Sequence, residues 1–175
     1  MNFERIDVRP FESRLGAQIL GVDLSTDIPD AVFAEIERAY VTHSVLVFKG
    51  QTLGPGEQVR FTRRFGELEH HVFSHWSLAD QPEVLIVSNV QKNGEPIGVY
   101  NAGRYWHTDL SYMSAPSRGS LLYAIEVPHD GTRALGDTYF ASSGAAFDSL
   151  GDDTKAQVRH LRATFSLAHQ RQKLM

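Results

Sequence analysis

The apolar residues of this chain come in short runs, and that restricts the folds open to it. Ser44 to Phe48 and Val84 to Val87 are brief apolar stretches with β-branched residues, bounded by Lys49-Gly50 and by polar positions. Such runs predict buried strands. Residues 15–24 mix alternating apolar positions with Gly16 and Gly21, which predicts a strand with a bulge or bend. In 119–127, Leu121, Tyr123 and Ile125 alternate with Leu122, Ala124 and Glu126, predicting a further strand, and Asp137 to Ala141 predicts a short one. No apolar run approaches the roughly 20 residues of a membrane span.

Between the strands lie stretches of helical period. Pro29 suits a first helical turn, Asp27 and Asp30 suit its positive end, and Val32, Phe33, Ile36, Ala39 and Tyr40 share one face. Gly56 to Phe65 predicts a second helix with Val59, Phe61 and Phe65 inward, Gly66 as its stop, and Arg60, Arg63 and Arg64 on a solvated face. Ser142 or Ser143 can cap a helix through Leu150, and Asp152 or Asp153 another through about Leu161, before a basic tail that is helical or extended. Asn93-Gly94 marks a turn, followed by a flexible segment, and Pro128 to Gly136 reads as a turn-rich connection. Short strands with two amphipathic helices near the start predict an α+β fold: a β-sandwich or jelly-roll core dressed with helices, in a single domain over 1–175.

Charge and composition narrow the partners. The net charge of −4, from 17 Lys+Arg against 21 Asp+Glu without a basic run, argues against a nucleic-acid partner. The absence of Cys excludes disulfides, zinc–thiolate sites and a Cys nucleophile, leaving His and carboxylates as the strong metal ligands. Met1 to Pro10 carries Glu4, Arg5, Asp7 and Arg9 in place of an apolar leader, so no membrane partner and a cytoplasmic location are expected.

Trp106-His107-Thr108-Asp109 is where chemistry is expected. On a strand, His107 and Asp109 share one face. An imidazole and a carboxylate so placed, joined by a distant second His, make the 2-His-1-carboxylate facial triad, which leaves iron(II) open positions for oxygen chemistry. With eight His in the chain, an isolated His-x-Asp is more commonly a surface His beside a turn-forming Asp, so the surroundings must decide. One such surrounding is 67–76, where His70, His71, His75 and Trp76 suggest either a pocket wall or a hydrated loop.

The chain resembles the N-terminal part of the taurine dioxygenase / 2,4-dichlorophenoxyacetate dioxygenase (TauD/TfdA) family of Fe(II)/2-oxoglutarate-dependent dioxygenases. The matching pieces, in the family's order, are Gly16-Ala17-Gln18-Ile19 with Gly21-Val22-Asp23-Leu24, Ser44-Val45-Leu46-Val47-Phe48, Arg64-Phe65-Gly66-Glu67-Leu68, Trp106-His107-Thr108-Asp109 and Gly136-Asp137-Thr138. The resemblance implies a double-stranded β-helix (jelly-roll, cupin-like) core, incomplete in this chain, with flanking helices. It implies that His107 and Asp109 are the first two iron ligands and that Thr138 holds a carboxylate of 2-oxoglutarate. It also implies that His71, or the adjacent His70, contacts the substrate. The implied reaction consumes O2, decarboxylates 2-oxoglutarate to succinate and hydroxylates a small organic acid such as a sulfonate, sulfate ester or aryloxy acid.

The departures are as specific as the matches. Ser74 stands where the family's taurine-cleaving member has a substrate-binding Tyr, and Gly103 where it has an Asn, so taurine itself is not the expected substrate. The family's distal metal His and the Arg beyond it have no counterpart before Met175. His129, His160 and His169 sit in a turn, on a helix and in the tail, and are expected at the surface. The chain therefore reads as a fragment or truncated product of a longer enzyme. Two rivals stand beside that reading. One is a truncated, non-catalytic β-helix protein that binds a partner or forms a homo-oligomer through exposed sheet edges. The other is a metal hydrolase using His107, Asp109 and another His.

Overall fold

The computed structural model describes residues 2–13, 15–71, 74–100 and 102–166. They divide into two compact units, one drawn from Met1–Thr52 and Tyr123–Ala163, the other from Leu53–Leu122 together with 164–166.

In the first unit, β1 (Asp7–Pro10) runs antiparallel to β2 (Ala17–Leu20), which runs parallel to β3 (Leu46–Phe48), giving the sheet order β1-β2-β3. Parallel neighbours need a long crossover, and α1 (Asp30–His43) supplies it. Its predicted apolar face is the buried one: Phe33, Ile36 and Ala39 join Ala17 and Ile19 of β2, with Ile6, Leu24 and Ile28, in the core. Where α1 ends, the His43 carbonyl accepts the Gly16 N–H at 2.8 Å, and the Val45 carbonyl accepts the Ala17 N–H at 2.9 Å. Gly16 has φ +95, and a Cβ there would stand 2.7 Å from the Phe11 ring, so glycine alone fits this junction. The Gln51 side chain continues the pairing where strands stop, accepting from the Leu24 N–H at 2.8 Å and donating to the Val22 carbonyl at 3.0 Å.

One buried charge was not legible in the helical pattern. Glu35, on α1, is only 3% exposed, yet its carboxylate accepts the Arg5 N–H at 2.9 Å and the Glu4 N–H at 3.1 Å, with Arg5 and Arg38 guanidinium groups 3.5 and 3.6 Å away. The Arg5 N–H bond, ahead of the Glu4 and Ile6 N–H bonds and the Arg38 charge, holds its pKa below the ordinary value against the opposing effect of burial.

The second unit has the smaller buried core among the described residues. α2 (Pro55–Arg63) starts with Pro55 at its first position, and the Gly54 N–H donates to the Glu57 carboxylate at 2.7 Å. Gly54 has no side chain to return that bond, so the capping is one-sided. Val59 and Phe61 are buried, and Phe65 meets Phe61 edge-on at 5.5 Å. β4 (Ser77–Leu78) and β5 (Gln81–Leu85) form one hairpin, β6 (Gln91–Lys92) and β7 (Glu95–Pro96) another. The second closes through Asn93 and Gly94, both at positive φ (54 and 83), as a two-residue turn of this hand requires.

Several strand expectations fail. The 84–87 run is only half in a strand: β5 begins three residues earlier and ends at Leu85, and Val84, Leu85 and Ile86 are half-buried while Val87 is exposed. Residues 106–109, 119–127 and 137–141 form no strand; in their place the later part of the chain has β8 (His129–Asp130) paired with β9 (Arg133–Ala134), then α3 (Ser143–Asp148) and α4 (Asp152–Val158). Alternating side chains suit a strand, but a strand also needs a neighbour for its backbone groups, and these segments have none among the described residues. The Ser142 cap is as expected, its hydroxyl accepting the Ala145 N–H at 3.0 Å. α4 is capped by Gly151, not by an Asp, and ends before Leu161. The tail beyond 166 lies outside the described residues. No helix among the described residues is long and apolar enough to cross a membrane.

Two outcomes follow from this core. Ile36→Ala removes a fully buried side chain and should cost about 2–5 kcal/mol in chemical denaturation. Because the folded-state pKa of Glu35 is depressed, its contribution is complete above the unfolded glutamate value of about 4.3 and is lost as pH falls through the lower folded value. Melting temperatures measured from pH 6 downward should therefore decline less steeply in Glu35→Gln than in the parent.

Candidate metal centre

His107 and Asp109 come together without a ladder to hold them. Trp106 to Thr108 is irregular and Asp109-Leu110 opens a turn, with Leu110 at φ 51 and the Met113 N–H closing onto the Leu110 carbonyl at 2.9 Å. The side chains still share a side: His107 Nε2 lies 3.2 Å from Asp109 Oδ1.

Hydrogen bonds assign the remaining atoms. His107 Nδ1 lies 2.7 Å from the Tyr105 carbonyl oxygen, which can only accept, so Nδ1 carries a proton. In the neutral ring the Nε2 lone pair then points toward a carboxylate oxygen. Two lone pairs 3.2 Å apart repel each other unless a proton or a cation lies between them. Adjacent ligands on an octahedral metal with bonds of about 2.0–2.2 Å stand about 3 Å apart, so the observed spacing fits a shared metal ion. The backbone bond at Nδ1 is the partner that metal-bound imidazoles characteristically have. Asp109 Oδ2 accepts the Ser120 hydroxyl at 2.6 Å. The side chains of His107 and Asp109 are 46% and 53% exposed, leaving room for further ligands.

Among the described residues no group of three or more His, Asp or Glu converges to hold a metal. His129 lies on β8, where a turn was expected, His160 lies just past α4, and both are exposed; His169 falls outside the described residues. Thr138 is exposed and irregular and belongs to the first unit, whereas His107 and Asp109 belong to the second.

The second unit also holds an open cleft of about 480 Å³ lined by Arg63, Gly66, Glu67, Leu68, His70 and Glu83. Arg63 lies on the solvated face expected of it, its side chain 61% exposed, and also bonds Glu83 at 2.7 Å, tying α2 to β5 across the cleft. His70 is exposed at this cleft and His71 is half-buried beside it in sequence. His75 packs its ring on Trp76 at 4.8 Å. Ser120 and the Tyr105 carbonyl escaped the sequence reading: nothing in the pattern marks a serine that returns to Asp109 across a turn.

The proton assignment is directly measurable. In a two-bond ¹H–¹⁵N correlation spectrum, the His107 ring should show a protonated Nδ1 at neutral pH; a neutral ring protonated only at Nε2 would contradict the Tyr105 bond.

The model of the taurine catabolism dioxygenase TauD, TfdA family matches residues 7–174. The chain is 32% identical over 168 residues to the (S)-phenoxypropionate/alpha-ketoglutarate-dioxygenase of Sphingobium herbicidovorans, covering 96% of this chain and 56% of that protein. It is 37% identical over 158 residues to the pentalenolactone F synthase of Streptomyces avermitilis, covering 89% and 51%. Among solved structures, AAD-2 in complex with Mn(II) and N-oxalylglycine aligns with a TM-score of 0.67 at 25% identity, over 97% of this chain and 55% of that one. The chain spans about half the length of the curated relatives it matches. With nearly all of its length matched, it belongs to the TauD/TfdA family of dioxygenases.

Proposed function

We propose that this chain is the N-terminal part of an Fe(II)- and 2-oxoglutarate-dependent dioxygenase domain built on a double-stranded β-helix core, and that it carries two of the metal ligands. The observation that carries this reading is the approach of His107 Nε2 to Asp109 Oδ1 at 3.2 Å, with each group's other polar atom already hydrogen-bonded. An iron(II) ion bound there supplies the chemistry that couples O2 and decarboxylation of 2-oxoglutarate to hydroxylation of a substrate carbon. The chain's own residues orient and bind. His107 presents Nε2, held by the Tyr105 carbonyl, and Asp109 presents Oδ1. The Thr138 hydroxyl donates to a carboxylate of 2-oxoglutarate.

His71, or His70 at the Arg63–Glu83 cleft, binds the acidic group of a small organic acid. The substrate class is supported by relatives named for (S)-phenoxypropionate and for sulfate esters, the latter the Pseudomonas putida sulfate ester dioxygenase, 31% identical over 163 residues.

A second reading, a module that binds or oligomerises without catalysis, is favoured by the large apolar side chains exposed in the later part of the chain, among them Trp106, Leu122 and Ile125. Sedimentation of the purified chain is expected to show a homo-oligomer; turnover is what separates the two readings.

Anaerobic titration of the chain with iron(II) and 2-oxoglutarate should develop the visible charge-transfer band of a chelated metal, lost in His107→Ala and in Asp109→Ala with the fold retained. Iron affinity unchanged in both variants would sink the ligand assignment.

A further inference from the structure

We infer that Ser120 is a positioning residue that makes Asp109 a one-oxygen metal ligand by occupying its Oδ2. This rests on the ligand reading proposed for His107 and Asp109. A carboxylate beside a cation can offer one oxygen or both. Here the two oxygens have separate partners: Oδ2 takes the Ser120 hydroxyl at 2.6 Å, while Oδ1 faces His107 Nε2 at 3.2 Å. A charge-assisted bond that short holds the carboxylate rotation and leaves Oδ1 for the metal. Monodentate binding keeps one more coordination position open than bidentate binding does, which is what a site receiving a co-substrate and O2 requires.

Ser120 is suited to the task because its neighbours are anchored. Arg118 donates to the Phe65 carbonyl just past α2 at 3.1 Å, and the Gln58 side chain on α2 donates to the Leu121 carbonyl at 3.5 Å. The serine between them thus refers Asp109 to the α2 end of the unit, although 106–120 has no ladder of its own. Ser120 is exposed, so removing its hydroxyl opens no cavity in the core.

The test uses Mn(II) alone as probe, titrated into the chain and followed by loss of the free-ion paramagnetic resonance signal, with thermal melts of every variant. Ser120→Ala should bind Mn(II) about 10–100-fold more weakly with an unchanged melt. Ser120→Thr, which keeps a hydroxyl, should restore most of the affinity. Parent affinity in Ser120→Ala, while His107→Ala and Asp109→Ala have lost binding, overturns the role of Ser120 and leaves the ligand reading standing. Equal weakening in Ser120→Thr, or a melt that falls in step with affinity, assigns Ser120 to the fold and also overturns it. Binding unaffected in His107→Ala and Asp109→Ala, or absent from the parent chain, overturns the ligand reading and this inference with it.

Discussion

A strand keeps its place when its backbone N–H and C=O groups find partners on both edges, and among the described residues β2 alone has them. β1 lies along one side and β3 along the other, and the α1 crossover buries Phe33, Ile36 and Ala39 in the core that Ala17 and Ile19 of this strand share. Every other sheet among the described residues is a two-stranded hairpin. The buried core is concentrated accordingly: most of its residues lie between Ile6 and Ala39, with Val59 and Phe61 as a smaller cluster on α2.

The same core accommodates a charge because the backbone has something to gain from it. Glu35 sits on the buried side of α1, where a carboxylate alone is costly, but it receives the N–H groups of Glu4 and Arg5, which lie ahead of β1 and outside any ladder. Gln51 does comparable work at Val22 and Leu24, where β2 has ended. In both places a side chain completes the backbone pairing that secondary structure leaves unfinished.

The candidate metal centre is held in another way. His107 and Asp109 lie on irregular chain, and what orients them is the Tyr105 carbonyl on one side and the Ser120 hydroxyl on the other. The resulting approach of His107 Nε2 to Asp109 Oδ1, 3.2 Å, is a spacing that a proton or a cation between the two atoms would favour. Both side chains are about half exposed.

The sequence by itself determined the local features. The 3.6-residue period fixed α1 and its buried face, Asn93-Gly94 the hairpin turn, Ser142 the α3 cap, and the ordered motifs with His-x-Asp the family and the first two ligand candidates. It misled at 106–109, 119–127 and 137–141, because alternation reports which faces suit a strand and says nothing of whether another strand is there to pair. Only the tertiary structure decided that Glu35 is buried, that Arg63 reaches Glu83, and that Ser120 returns to Asp109. Each of these joins residues far enough apart in the chain that no local period connects them, and each depends on where folding carries the second partner.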